Sequence, residues 1–363
     1  MANGDNANVT LAMIRSGAAY LQKDTVTVSN DVKAVQKALL MYGYYPGGTP
    51  DGKYGAGTEA AVKGLQNEKG LTITGNVDQA TLNKIEIWSG TLYAIPTATP
   101  SMATVRKGLD YFQVGDSGND VYTICQLLQA KGITCSLSYS YDSSVSSAVQ
   151  QFQAAVGLSA DGFVGQATLA ALEDTISDTG WLTGTTVNLT AGKLARAGFE
   201  KLMLRQDVVF YLNLALNTYH INTKQKVRHF LAQCMKETDY GRAFTEYGYK
   251  PGTGGSASYS PYYGAGLLHL STANNYLAYK NYKMENKIYT PSVYATQHVA
   301  IAYPSDSAGW YWDVHRGFNN NSVINWSDTD QNICYNLTSM INGSTASYSE
   351  RWNNFLNISA ILL

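Results

Sequence analysis

Apolar residues recur at helical spacing in two distant segments of the chain, and the recurrence is the same in both. Val32, Val35 and Leu39 match Val121, Ile124 and Leu128, while Ala61, Val62 and Leu65 match Ala148, Val149 and Phe152. At 3.6 residues per turn each set falls on one face of a helix. The polar residues repeat as well. DVKAVQKALLMYGYY, DGKYGAGTEAAVKGLQNEKGL and GNVDQATL in the first segment answer to DVYTICQLLQAKGI, YDSSVSSAVQQFQAAVGL and GFVGQATL in the second. The first pieces align at an offset of 89 and the later ones at 87, so two residues are lost in the loop between, where a loop tolerates it. Each copy predicts a small three-helix unit with Gly-rich turns, Thr81 and Thr168 lying in its last helix.

A third pattern lies further on. Val227, Phe230, Leu231, Cys234 and Met235 recur at i, i+3, i+4, i+7 and i+8 and predict an amphipathic helix from Thr223 to Thr238. Glu237 falls beside Phe230, at the border of the apolar stripe. A carboxylate placed there is partly desolvated, which suits a general acid. Gly241 stops the helix, and Glu246 follows in a Tyr- and Gly-rich loop where solvent keeps it ionised. An acid and a base separated by their surroundings is the arrangement of inverting glycoside hydrolysis. The same two glutamates also suit a salt-bridged rim, and spacing alone does not choose.

The segments divide as 1–24, an N-terminal segment; 25–90, the first copy; 91–111, a linker with Pro96 and Pro100; 112–175, the second copy; 176–194, a second linker; and 195–363. All five histidines, four of the six tryptophans and 17 of the 27 tyrosines lie beyond residue 194, so any chemistry is expected there. The fold class expected is all-α dominated.

Composition narrows the partners. Lys+Arg 26 against Asp+Glu 27 leaves a net charge of −1 with no basic block, which argues against nucleic acid and anionic lipid. Charged residues make up only 15%, and Tyr, Gly, Ser, Thr and Asn carry the polar surface, a mix suited to hydroxyl-rich ligands. No basic start followed by an apolar run marks a secretory leader, and no membrane anchor is expected, which points to synthesis in the cytoplasm. Four cysteines are too few and too scattered for a disulfide framework or a zinc cluster; Cys125 and Cys135 read as buried thiols, with a bridge as the alternative. The histidines show no metal-ligand spacing, and no G-x-S-x-G or Cys/His signature appears, so no metal and no cofactor are expected. Trp310 and Trp312 suit either a core or a sugar platform.

The repeat resembles the peptidoglycan-binding domain of bacterial and phage wall hydrolases. The first copy carries the pattern in Asp51, Gly52, Tyr54, Gly55, Thr58, Ala61, Val62, Leu65 and Gln66; the second keeps Asp161, Gly162, Gly165 and Thr168 but replaces the first turn by YDSSVSS. Downstream, FLAQCMKET, YYGAGLLHLSTANNY and NLTSMINGSTASYSERW resemble the three motifs of family 19 chitinases and the lysozyme-like endolysins related to them. That resemblance implies an α-helical lysozyme-like domain over 195–363, with Glu237 as general acid and Glu246 as the base that activates water. It further implies that Tyr262, His269, Ser271 and Asn275 hold sugar and water and that Asn342 and Arg351 support the cleft. The sequence departs from the pattern at Ala265, where the family has Arg, and at His269, where it has Gln.

The function implied is an endolysin that cleaves β-1,4 bonds of peptidoglycan by an inverting mechanism and reaches the wall through a separate pore protein. A chitinase acting on chitin oligomers and a non-catalytic wall-binding structural protein are the alternatives. A peptide-cutting amidase is a weaker third, since no zinc ligands are visible.

Overall fold

The computed structural model describes residues 6–44, 50–89, 92, 100–246, 249 and 260–363, with the side chains of 25, 26 and 88 left aside. Pro96 of the expected linker and most of the Tyr- and Gly-rich loop after Glu246 lie outside the described residues. In chain order the elements are α1 (Leu11–Arg15), β1 (Asp24–Val28), α2 (Asn30–Met41), β2 (Lys53–Tyr54), α3 (Ala56–Glu68) and α4 (Gln79–Ser89). Next come α5 (Met102–Arg106), α6 (Asn119–Ala130), α7 (Ser143–Val156) and α8 (Gln166–Glu173). The rest is β3 (Leu182–Thr183), β4 (Thr186–Val187), α9 (Ala191–Arg196), α10 (Gln206–Thr218), α11 (Lys224–Glu237), α12 (Ala273–Lys283), α13 (Ser292–Ala302), α14 (Pro304–Trp310), α15 (Asp330–Asn342) and α16 (Tyr348–Ile361). Helices dominate. Among the described residues the sheets are two antiparallel pairs, β1 with β2 and β3 with β4. No described helix is long and apolar enough to cross a membrane.

The contacts divide the chain into two compact units, each discontinuous in sequence. Unit 1 comprises Met1–Pro100, Thr245–Ala265 and Ser271–Ala302; unit 2 comprises Ser101–Phe244, Gly266–Leu270 and Tyr303–Leu363.

In unit 1 the apolar faces predicted for the first copy are all inside: Val32, Val35, Leu39, Ala61, Val62 and Leu65 are buried, with Leu82 and Ile85 of α4 against them. The repeat begins earlier than its apolar pattern. Thr10 caps α1, the Leu11 N–H donates to Asp31 on α2, and Arg15 pairs with Glu86 on α4 at 2.7 Å. Residues 271–302 also belong to this unit. Gln297 on α13 donates to the Gly43 carbonyl at 2.7 Å, and His298 Nδ1 lies 2.7 Å from Glu68 Oε2 on α3, both side chains nearly buried.

Unit 2 repeats the first arrangement with different residues. Val121, Ile124, Leu128, Ala148, Val149, Phe152, Leu169 and Leu172 form one core with Phe112 and Val164, which pair as a β-bridge. Ser101 caps α5, the Met102 N–H donates to Asp120, and Arg106 pairs with Glu173 at 2.5 Å, each the counterpart of a contact in the first copy. Part of the stretch expected as a linker, residues 101–111, therefore holds the helix α5 and the turn that leads to the bridge at Phe112. The stretch expected as the second linker holds the β3–β4 pair and a fully buried Trp181. Fully buried Lys193 ties this stretch to α9, reaching Asp174 at 3.2 Å and the Ile176 carbonyl at 2.5 Å. A buried ammonium is tolerated only with such partners.

Candidate functional site

The expected helix of 223–238 is α11, capped by Thr223 and ending at Glu237. Its apolar stripe is buried throughout, and the buried face is wider than the stripe, because His229 and Gln233 are fully buried too. After Glu237 the backbone turns through Asp239 (φ 47), Tyr240 (φ 59) and Gly241 (φ 83), three left-handed residues in a row. Thr238 braces the turn, its hydroxyl donating to the Cys234 carbonyl and accepting from the Gly241 N–H. A Cβ at residue 241 would lie 2.5 Å from Met203 Cβ and 2.9 Å from the Glu200 carbonyl, so only glycine lets the chain pass.

Glu237 sits at the C-terminal end of α11, where the helix dipole opposes negative charge. A cation answers it. Arg351 on α16, 2% exposed, donates from Nη2 to Glu237 Oε1 at 2.5 Å, from Nη1 to Gln233 Oε1 at 2.6 Å, and from Nε to Ser347 Oγ at 2.9 Å. The other oxygen, Oε2, lies 3.5 Å from His269 Nδ1. His269 itself is held at φ 48. Tyr311, in the π-helical turn Tyr311–His315 that continues α14, feels the same carboxylate: burial pushes its phenol up, Arg316 opposes this, and the charge of Glu237 adds to it. Trp310 and Trp312 are buried, Trp312 packing edge-on against Phe230 and Phe318, so both are core.

Of the residues expected to form a site, unit 2 thus brings together Glu237, His269 and Arg351. Asn342 ends α15, exposed, with its amide on Ser344 Oγ at 3.2 Å, and it takes no part in the Glu237 hydrogen bonds. The remaining four lie in unit 1. Glu246 is half-buried, where full solvation was expected: its Oε2 accepts the Gly264 N–H at 3.0 Å while its own N–H donates to the Gly264 carbonyl at 2.8 Å, beside the Thr245–Ala265 bridge. Tyr262 stacks on Tyr289 at 4.9 Å, its hydroxyl on the Tyr289 carbonyl, and its own carbonyl accepts from Thr272. Ser271 and Asn275 flank that point, half-buried, at the start of α12.

Sequence reasoning did not single out Gln233 or Ser347, which orient Arg351. Gln233 had a signal. It precedes Glu237 by four residues and so shares its helix face.

The two repeats are each organised on a buried glutamine. Gln66 donates to Thr74, the Asn76 carbonyl and Thr81, and accepts from the Thr74 and Gly75 N–H groups. Gln153 does the same with Asp161, the Phe163 carbonyl, Thr168 and the Gly162 N–H. The first copy has a second such centre in Gln36, bonded to Asp51, the Lys53 carbonyl, Thr58 and the Gly52 N–H. The second copy has Cys125 at that position, its thiol 3.9 Å from the Ser138 carbonyl, so one centre is lost. The diverged turn still keeps its tyrosine: Tyr141 donates to the Gly162 carbonyl as Tyr54 does to Gly75. Cys125 and Cys135 are free buried thiols, and burial together with Cys125 pushes the Cys135 thiol up to about 12.

Comparison with known proteins bears on these repeats. Residues 28–85 and 117–172 match the family described as "Putative peptidoglycan binding domain". Nothing among curated proteins matches the chain. The family match agrees with the resemblance read from the repeat motifs, and it supports two helical peptidoglycan-binding domains in this chain and its association with the cell wall.

Proposed function

We propose that the chain is a cell-wall lytic glycoside hydrolase that cleaves β-1,4 bonds of peptidoglycan, with residues 195–363 carrying the chemistry and the two repeats holding it to its insoluble substrate. The observation that supports this most is the Glu237 cluster. In a chain with two wall-binding repeats, a carboxylate closes a buried helix, one oxygen fixed by a nearly buried arginine and the other facing a histidine. Such fixation is what acid catalysis needs, because a proton donor works only when held in line with the leaving oxygen.

In this reading Glu237, protonated, gives its proton to the glycosidic oxygen as the C1–O bond breaks. Water attacks C1 from the opposite face and loses a proton to Glu246, so the sugar is released with inverted configuration. Tyr262, His269, Ser271 and Asn275 bind sugar and water; Arg351 positions the acid, and Asn342 supports the rim. The decisive experiment is release of soluble saccharide from purified sacculi by the wild type and by Glu237→Gln. An active Glu237→Gln protein overturns the assignment. Product identity distinguishes peptidoglycan from chitin oligomers as the preferred substrate.

A non-catalytic wall-binding protein is the second reading. The closed Arg351–Glu237 pair favours it, since a purely structural carboxylate makes the same contact, and so do Ala265 and His269 at the two departures from the chitinase pattern. A wild type that binds sacculi and releases nothing would establish it.

A further inference from the structure

Within unit 2, the second repeat and the chain that follows it enclose a cleft of about 660 Å³. This is the size of a small-molecule site. One wall is the closing turn of the repeat with Tyr111, and the other is the end of α9 with the 3-10 turn Lys201–Leu204.

Two aromatic rings meet in it. Tyr111 and Phe163 are 44% and 42% exposed, with ring centroids 5.5 Å apart and planes inclined at 56°. Exposed rings in contact with one another offer an apolar platform, the complement of the C–H face of a sugar ring. Beside them Asp161 is fixed, its Oδ1 accepting from Gln153 and from the Phe163 N–H. A carboxylate has about four acceptor positions, so two such bonds leave capacity for hydroxyl donors.

The charges of the cleft define what enters. Arg196 is committed to Asp178 at 2.6 Å and Glu200 to Arg242 at 2.9 Å. Lys201 is exposed, has no ion-pair partner among the described residues, and is held at φ 48, a conformation that L residues other than Asn, Asp and His rarely adopt. Carboxylates at Asp110, Asp161 and Glu200 stand against the cations Arg196 and Lys201. A lining of mixed sign disfavours a polyanion and suits a neutral polyol with amide groups.

We propose that this cleft binds the glycan strand of the wall, a β-1,4-linked chain of N-acetylated amino sugars, with a sugar face on Tyr111 and Phe163. The inference rests on the wall-directed reading above. It adds that the second repeat binds, that it binds glycan rather than stem peptide, and that its site is shared with the 3-10 turn after α9. Loss of the Gln36-type centre from this repeat does not touch the cleft, which is built on the Gln153 centre.

The test is full-chain protein binding, in the cold, to intact sacculi and to glycan strands stripped of stem peptides, with release of soluble saccharide followed separately. The variants are Tyr111→Ala with Phe163→Ala, and Phe163→Trp alone; both rings are exposed, and a thermal melt checks the fold. Expected are binding of stripped strands by the wild type, a loss of about tenfold or more in the double variant, and retention in Phe163→Trp. A double variant that binds like the wild type overturns the proposal while leaving wall association intact. Binding confined to peptide-bearing sacculi overturns the ligand class. A wild type that binds no sacculi removes the wall reading and this proposal together, and absent saccharide release with normal binding counts against the hydrolase reading alone.

Discussion

Arg351 Nη2 lies 2.5 Å from Glu237 Oε1, and its Nη1 lies 2.6 Å from Gln233 Oε1, so one guanidinium clamps two residues a single turn apart on α11. Glu237→Gln keeps the size of the side chain and the clamp, but it cannot release a proton. Hydrolysis of sacculi is expected to fall by about 10² to 10⁴, the share of a general acid, while sacculus binding and melting temperature stay near wild type. Retention of more than about a tenth of the rate, a change under ~1.4 kcal/mol, would return Glu237 to a structural role.

Arg351→Ala should cost about 1–3 kcal/mol in denaturant unfolding, because it leaves the buried Gln233 amide and the half-buried Glu237 carboxylate without their donor. With Glu237→Ala already present, which removes the acceptor altogether, the further loss should be smaller. A double-mutant cycle measures this coupling, expected at about 0.5–3 kcal/mol; additive losses would mean the two side chains do not act as a pair.

Gly241→Ala is expected to destabilise by more than ~1 kcal/mol, since both the left-handed φ of 83 and the 2.5 Å approach of Met203 Cβ oppose a methyl group. The strain falls on the turn that ends α11, so activity should drop more than wall binding. Equal melting temperatures for variant and wild type would contradict the packing described.

Gln153→Ala should cost about 1–3 kcal/mol for each buried group left unsatisfied, the Gly162 N–H first among them, and should weaken binding to sacculi. Urea unfolding reads the first effect and sedimentation with sacculi the second. A variant unchanged in both would dismiss the glutamine centre as the organiser of the repeat.

Burial pushes the His229 imidazole below its ordinary 6.5, although Asp330, 3.1 Å away, pulls the other way; the hydrogen bond from His229 in turn holds Asp330 below 3.8. As pH falls through about 6.5 the unfolded chain takes up a proton that the folded chain refuses. The contribution of His229 is therefore complete above that pH and is lost below it, by at most ~1.4 kcal/mol per unit, and Asp330 adds a loss of the same sense below 3.8. Unfolding free energies between pH 7.5 and 5 should show this slope, and His229→Gln should flatten it. An equal slope in the variant would remove His229 as its source.

Much of this fold is legible in the chain because its signals are local. The α11 stripe and the matched faces of α2 with α6 and α3 with α7 follow from spacing alone, and the glutamine centres repeat with the motif that carries them. The five-residue helices α1 and α5 escape, since one turn has no period to detect; only their caps, Thr10 and Ser101, mark them. In the candidate site, Glu237 stands out as a charge on an apolar face. Its partner does not, because Arg351 lies 114 residues away and entered only through a family resemblance. The half-burial of Glu246 was equally hidden, for it depends on a backbone bridge to Gly264 that no side-chain pattern announces.

The interlaced course of unit 1 sets the order in which the protein comes into being. Its first repeat builds its core from its own residues, but two of its contacts wait until α13 has been made: Glu68 waits for His298, and the Gly43 carbonyl waits for Gln297. At about 5–20 residues per second, the roughly 200 residues between Pro100 and Ala302 take about 10–40 s to emerge from a ribosome. The second repeat, whose core lies wholly between residues 102 and 172, has its complete core sequence well before then. The earlier-made repeat thus acquires its last contacts only after the later-made one has its whole core sequence, and for those seconds the face of α3 that carries Glu68 is bare to whatever else the cell offers it.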